Sequence, residues 1–117
     1  MTLEDIKLLF LDLCARLPYG VIIEHPELFR PTLKVKEKLE GIDKGRINDC
    51  GISVEYVKPY LRPMSSMTEE ESKEFSNMEI VGYSNYDWLN AHHFDYRGLI
   101  ERGLAIEVTE DNNPYKS

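Results

Sequence analysis

Apolar residues recur at steps of three and four through the first seventeen positions, at Leu3, Ile6, Leu9, Phe10, Leu13, Cys14 and Leu17. That spacing predicts a helix over about residues 3–17 with these side chains gathered on its main core face. Thr2 is placed to cap it, with Asp5 favouring the helix N-terminus, and Pro18 with Gly20 supplies the stop. Leu8, Leu11 and Ala15 form a second apolar strip, set off by Lys7 at one edge and by Asp12 and Arg16 at the other. Two strips imply two neighbours: a sheet under one and a C-terminal helix under the other, or a dimer seam.

After the helix the period shortens to two. Val21–Glu24 is a β-branched run ended by His25-Pro26, and Thr32–Leu39 is the next strand candidate. In it Leu33, Val35 and Leu39 alternate with Lys34, Lys36 and Lys38, so the lysines are expected on one face and the apolar side chains on the other. Glu37 interrupts the apolar side and marks an exposed end or a bulge. Gly41 and Gly45 bracket a turn before a third strand over Arg46–Tyr56, which completes an antiparallel meander. Pro59 and Pro63 then predict a structured crossing loop from Val57 to Ser66, because proline pushes the residue before it into extended backbone.

Helical signals return in the second half. Thr68-Glu69-Glu70-Glu71 has the form of a capping box for an acidic surface helix to about Asn77. Ser84 or Asn85 can cap a helix through His92, and Asp95 another through Arg102, with Gly103 as its stop. Leu104, Ile106 and Val108 alternate as a last short strand. The fold class is therefore α+β: an N-terminal helix on a small antiparallel sheet of three to four strands, with short C-terminal helices. A single domain spans residues 1–109, and the polar tail 110–117 is expected to fray.

Size and charge bound the partners. With 117 residues, 42% apolar and 30% charged, one core without metal or disulfide staples is expected. The net charge of −7 sits mostly in the C-terminal half, where residues 59–117 carry five Lys/Arg against eleven Asp/Glu, while residues 1–58 carry nine against ten. Nucleic acid is a poor partner for a chain of that sign unless one face is locally basic, and a basic partner or simple solubility fits better. Two cysteines without ligand-type spacing suggest a reducing compartment. Met1 leads straight into the capped helix without a basic leader, and no apolar run could span a bilayer, so a soluble, cytoplasmic protein is expected.

Three blocks are similar to an uncharacterised family of small proteins from gut Bacteroidales and their phages or integrated elements: Leu8–Val21, Val57–Glu70 and Tyr86–Glu107, the last containing Asp-Trp-Leu-Asn-Ala-His-His-Phe-Asp-Tyr-Arg-Gly-Leu-Ile-Glu. The resemblance covers roughly half the chain. It implies an origin and a compartment, and it carries no functional residue across.

The segment 83–96 holds the only tryptophan, five of the twelve aromatics and two of the three histidines. Tyr83, Tyr86, Trp88 and Tyr96, with Phe94, are candidates for an exposed partner-binding surface, against the plainer reading that the rings close the core. Glu69, Glu70 and Glu71, with Glu74 and Glu79, are either helix-start electrostatics or an acidic patch that imitates nucleic acid. His92, His93 and Asp95 are the densest set of metal ligands, but adjacent helical residues diverge by about 100°, and a further ligand would have to come from His25 or a distant carboxylate. Cys14 among leucines is expected to fill core, and Ser65 and Ser66 lack a nucleophile elbow. Lys34, Lys36 and Lys38, with Arg30 and Arg46, make the one basic strip, without interleaved aromatics.

These signals favour a noncatalytic protein-interaction module without a cofactor, a monomer or weak homodimer. The alternatives are an acidic nucleic-acid mimic and a small metal-dependent hydrolase using His92, His93 and Asp95.

Overall fold

A computed structural model describes residues 1–77 and 83–116; the side chains of Tyr83 and Ser84 also lie outside the described residues. Helix α1 (Leu3–Arg16) opens on the expected cap, reinforced by reciprocity: the Thr2 hydroxyl accepts from the Asp5 amide, and the Asp5 carboxylate accepts from the Thr2 amide. A 3-10 turn at Leu17–Tyr19 and Gly20 in left-handed backbone lead into β1 (Ile22–Pro26) and β2 (Lys34–Lys38). Next come three short strands, β3 (Ile42–Asp43), β4 (Arg46–Ile47) and β5 (Ile52–Ser53), then β6 (Lys58–Leu61), α2 (Glu69–Ser76), α3 (Tyr83–Ala91) and β7 (Ile106–Glu107). No helix among the described residues is long and apolar enough to cross a membrane.

The architecture is α+β as expected, with the strands divided between two sheets. The main sheet runs β2-β1-β6-β7 and the smaller one β3-β4-β5. Most pairings are antiparallel, but β7 joins β6 in parallel. The predicted single strand from Arg46 breaks at left-handed Asn48 and Asp49 into two short strands, β4 and β5, paired as one hairpin, and a 3-10 turn.

The predicted crossing loop is instead partly a central strand. Pro59 sits opposite Ile23 in β6, where its missing N–H is tolerated because only two residue pairs join β6 to β1. The next pair in register, Ile22 and Tyr60, is bridged by a side chain: the Tyr115 hydroxyl accepts from the Ile22 amide at 2.9 Å and donates to the Tyr60 carbonyl at 2.7 Å. The tail expected to fray therefore returns to the sheet and satisfies two backbone groups that the strands leave open.

One core joins α1 to both sheets through Leu9, Leu13, Val21, Ile23, Leu39, Ile47, Leu61 and Leu99, each worth about 1.5–3 kcal/mol of burial. Two sequence expectations change here. Leu3, Phe10 and Cys14, assigned to the core stripe of α1, face solvent, while Asp12 and Arg16 are wholly buried beside Leu9 and Leu13. Glu37 is neither an exposed end nor a bulge: half-buried, it accepts from the Asn48 side-chain Nδ2 and lies 3.0 Å from His25 Nε2. Burial opposes its ionisation, but those two partners hold its carboxyl below the usual range.

Candidate functional site

Helix α3 carries the aromatic segment and ends in a reversal that places everything after it. The His93 amide donates to the Asn90 carbonyl and the Phe94 amide to the Leu89 carbonyl, the two bonds of a Schellman motif. His93 occupies its left-handed position at φ 63°, where glycine or asparagine is usual. Its ring is retained by stacking on Tyr115, 3.8 Å between centroids and 8° from parallel. Ser84 and Asn85 lie within α3 (Tyr83–Ala91) rather than at its cap.

Trp88 turns inward toward α2. Its indole N–H donates to Glu74 at 2.8 Å, and its ring lies against His92 at 4.1 Å, Phe75 at 5.3 Å and Phe94 at 5.8 Å. The tryptophan predicted as a candidate hot spot is thus a half-buried pin between two helices. Tyr86 is different: one helical turn before Asn90, it leaves 54% of its surface in solvent and meets Tyr96 at 5.2 Å. The Tyr96 hydroxyl in turn donates to Asn90 at 2.9 Å. Ala15 of α1, Tyr86, Asp87, Asn90, Tyr96 and Arg97 line an open groove of about 540 Å³.

Beneath that groove lies a charge network that the sequence reading missed. Buried Asp12 accepts from Arg16 Nε and from Arg97, each at 2.8 Å, while Arg16 also donates to the Phe94 carbonyl. The guanidinium carbons of Arg16 and Arg97 lie 5.4 and 4.6 Å from the Tyr96 ring centre. Tyr96 is therefore held from below by cations and from the side by Asn90. The available signal was the Asp12/Arg16 spacing of four, which puts an acid and a base on one helix face. Their position at the edge of the apolar stripes made them look like solvent-facing separators.

The metal candidates are not brought together. His92 stacks on Trp88 with Nδ1 3.6 Å from Glu71; His93 faces Tyr115; Asp95 accepts from the Leu99 and Ile100 amides, each at 2.9 Å. Asp95 caps a series of turns rather than a regular helix. No group of three His, Cys, Asp or Glu residues among the described residues is arranged for an ion. His25 is committed to Glu37 on the inner face of the main sheet.

The acidic helix is also partly committed. Glu71 closes the Thr68 capping box and receives both Arg62 nitrogens, at 2.7 and 2.6 Å; those bonds hold its carboxyl at about 2. Arg62 lies 4.1 Å over the Phe94 ring. Glu69 and Glu70 remain exposed, Glu74 is held by Trp88, and Glu79 lies outside the described residues. Of the sequence-predicted partner residues, Tyr86 and Tyr96 thus meet in the groove, whereas Trp88 is bonded to Glu74 and Glu71 to Arg62. Comparison with protein-family models, curated proteins and solved structures gave no match.

Proposed function

We propose that the protein is a noncatalytic interaction module that binds a protein segment in the groove between α1 and α3. The observation that carries this reading is the contrast within one helix: Trp88 is tied inward, while Tyr86 stands half in solvent over a ring fixed by Arg16, Arg97 and Asn90. An aromatic contact surface held rigidly before binding loses little conformational freedom when a partner covers it. The groove offers apolar surface from Ala15, Tyr86 and Tyr96 beside the exposed carboxylate of Asp87. Its complement is an aromatic or aliphatic side chain flanked by lysine or arginine, in keeping with the net charge of −7. Membership of a phage or mobile element, within this proposal, rests on the resemblance of the three sequence blocks.

Selection of a random peptide library on the immobilised protein tests the reading. Enriched peptides are expected to pair an apolar residue with a basic neighbour, to bind wild type, and to lose binding against Tyr86→Ala while the melting temperature stays unchanged. Peptides that bind the Tyr86→Ala variant equally well would overturn it.

A further inference from the structure

The main sheet has a second surface, remote in sequence from the aromatic segment and built on different residues. Register puts Lys34, Lys36 and Lys38 of β2 opposite Pro26, Glu24 and Ile22 of β1, and Glu24 in turn opposite Lys58 of β6. Directly opposed residues share a face, so all four lysines project from the side of the sheet that looks away from Ile23 and Leu61. All four are exposed, and none has a carboxylate within salt-bridge distance among the described residues. The acids nearest to them in the hairpin have other partners: Glu24 accepts from the Tyr60 hydroxyl, and Glu27 pairs with Arg30. At the end of the same hairpin Phe29 is 87% exposed.

From this arrangement we infer that the outer face of the main sheet binds a single-stranded nucleic acid, with phosphates along the lysines and a base stacked on Phe29. Overall acidity argues against such a ligand only when the positive charge is dispersed, and here it is gathered on one face of one sheet. In sequence the strip of Lys34, Lys36 and Lys38 with Arg30 and Arg46 lacks an interleaved aromatic, but Lys36 Nζ lies 5.1 Å from the Tyr60 ring centre and the hairpin end exposes Phe29.

The spread of the lysines decides between polyanions. Lys34 and Lys38 are about 13 Å apart along the strand. An anionic bilayer meeting the hairpin tip first would engage Phe29 and Lys34 but leave Lys38 beyond a Debye length of about 8 Å. A chain of phosphates lying along the strand meets every lysine at once. An acidic peptide could lie the same way, but it offers Phe29 no base to stack on.

Fluorescence anisotropy with fluorescein-labelled oligothymidylate and oligouridylate tests the inference on the full chain. Wild type is expected to bind at low salt, with log affinity falling against log salt at a slope of about −3 for four neutralised phosphates. Lys36→Gln should reduce that slope by about 0.7, and Phe29→Ala should weaken binding about tenfold at unchanged slope. Melting curves confirm that these exposed substitutions leave the fold intact. Absence of binding at low salt overturns the inference, as does binding indifferent to Lys36→Gln. Equal competition by polyglutamate with no loss in Phe29→Ala would transfer the face to an acidic peptide. Retention on phosphatidylserine vesicles without oligonucleotide binding would transfer it to a membrane.

Discussion

Around Asp12 and Phe94 the cations are arginines held by partners, whereas on the outer face of the main sheet no lysine has a carboxylate within salt-bridge distance among the described residues. Arg16 and Arg97 share Asp12, Arg62 takes both oxygens of Glu71, and Arg102 reaches back to Asp5. The fork of a guanidinium allows several directed bonds at once, so one arginine can tie α1 to the turn after α3. A lysine ammonium is a strongly hydrated point charge on a flexible stem and does little of that work. In this molecule, Arg97 and Arg102 cross-link the C-terminal half to α1, and the four lysines of the outer sheet face are left exposed. Overall charge hides that division, because Arg97 and Arg102 of the acidic half take Asp12 and Asp5 of α1 as partners, while Arg62 takes Glu71.

The sharpest way to break the comparison is to remove the shared acid. Asp12→Ala leaves Arg16 buried without its carboxylate and frees Arg97; a loss of about 3–5 kcal/mol is expected in urea unfolding. Lys36→Ala should stay within about 0.5 kcal/mol. A similar loss from both would show that the lysines are as structural as the arginines. Within α3 the same contrast recurs on a smaller scale. Trp88→Ala removes a half-buried pin and should cost about 2 kcal/mol, below the range for a fully enclosed tryptophan, while Tyr86→Ala should be near neutral. Thermal melts of the two variants side by side check this, and equal losses would make Tyr86 part of the core.

What the sequence made legible was local. The cap at Thr2, the box at Thr68, the lysine alternation of β2 and the mixed helix and strand periods all concern neighbours within a few residues, and the α+β architecture follows from them. What it hid was tertiary. Pro59 reads as loop because proline lacks a donor, yet β6 is central since a phenol from Tyr115 replaces the next ladder bond. Asp12 and Arg16 read as a polar edge because nothing nearby in sequence announces Arg97 and the Phe94 carbonyl, eighty residues away in the chain. Trp88 and Tyr86 are two positions apart, so composition cannot separate them; only the location of Glu74 and Phe75 does.

The tail supplies the next test. Tyr115→Phe keeps the ring on His93 but deprives the Ile22 amide and the Tyr60 carbonyl of their bridge, and about 1–3 kcal/mol should be lost in chemical denaturation. Burial already pushes the Tyr115 phenol above its usual range, in keeping with a hydroxyl that stays protonated while it donates. Amide exchange at Ile22 should quicken in the same variant. An unchanged rate would mean that the strands close on each other without the tail.

The smallest effect is one of pH, and it tests whether the arginine network tolerates another cation. Burial, then the nearby charges of Arg16, His92 and Arg62, pushes His93 down to about 4, and its buried Nδ1 has no hydrogen-bond partner among the described residues. A base whose folded pKa lies below its unfolded value of about 6.5 favours the neutral form in the fold. Its contribution is therefore complete above pH 6.5 and is lost as pH falls from there toward 4, where the unfolded chain binds the proton first. After allowance for partial exposure the loss should be on the order of 1 kcal/mol. Glu71 does not confuse the window, because its contribution is kept until pH drops below about 4.5 and disappears only toward 2. In His93→Phe the ring stack on Tyr115 survives, and the decline between pH 6.5 and 4.5 should vanish from a series of denaturation curves. A decline that persists would separate it from His93 and would leave the arginines around Phe94 indifferent to a further positive charge.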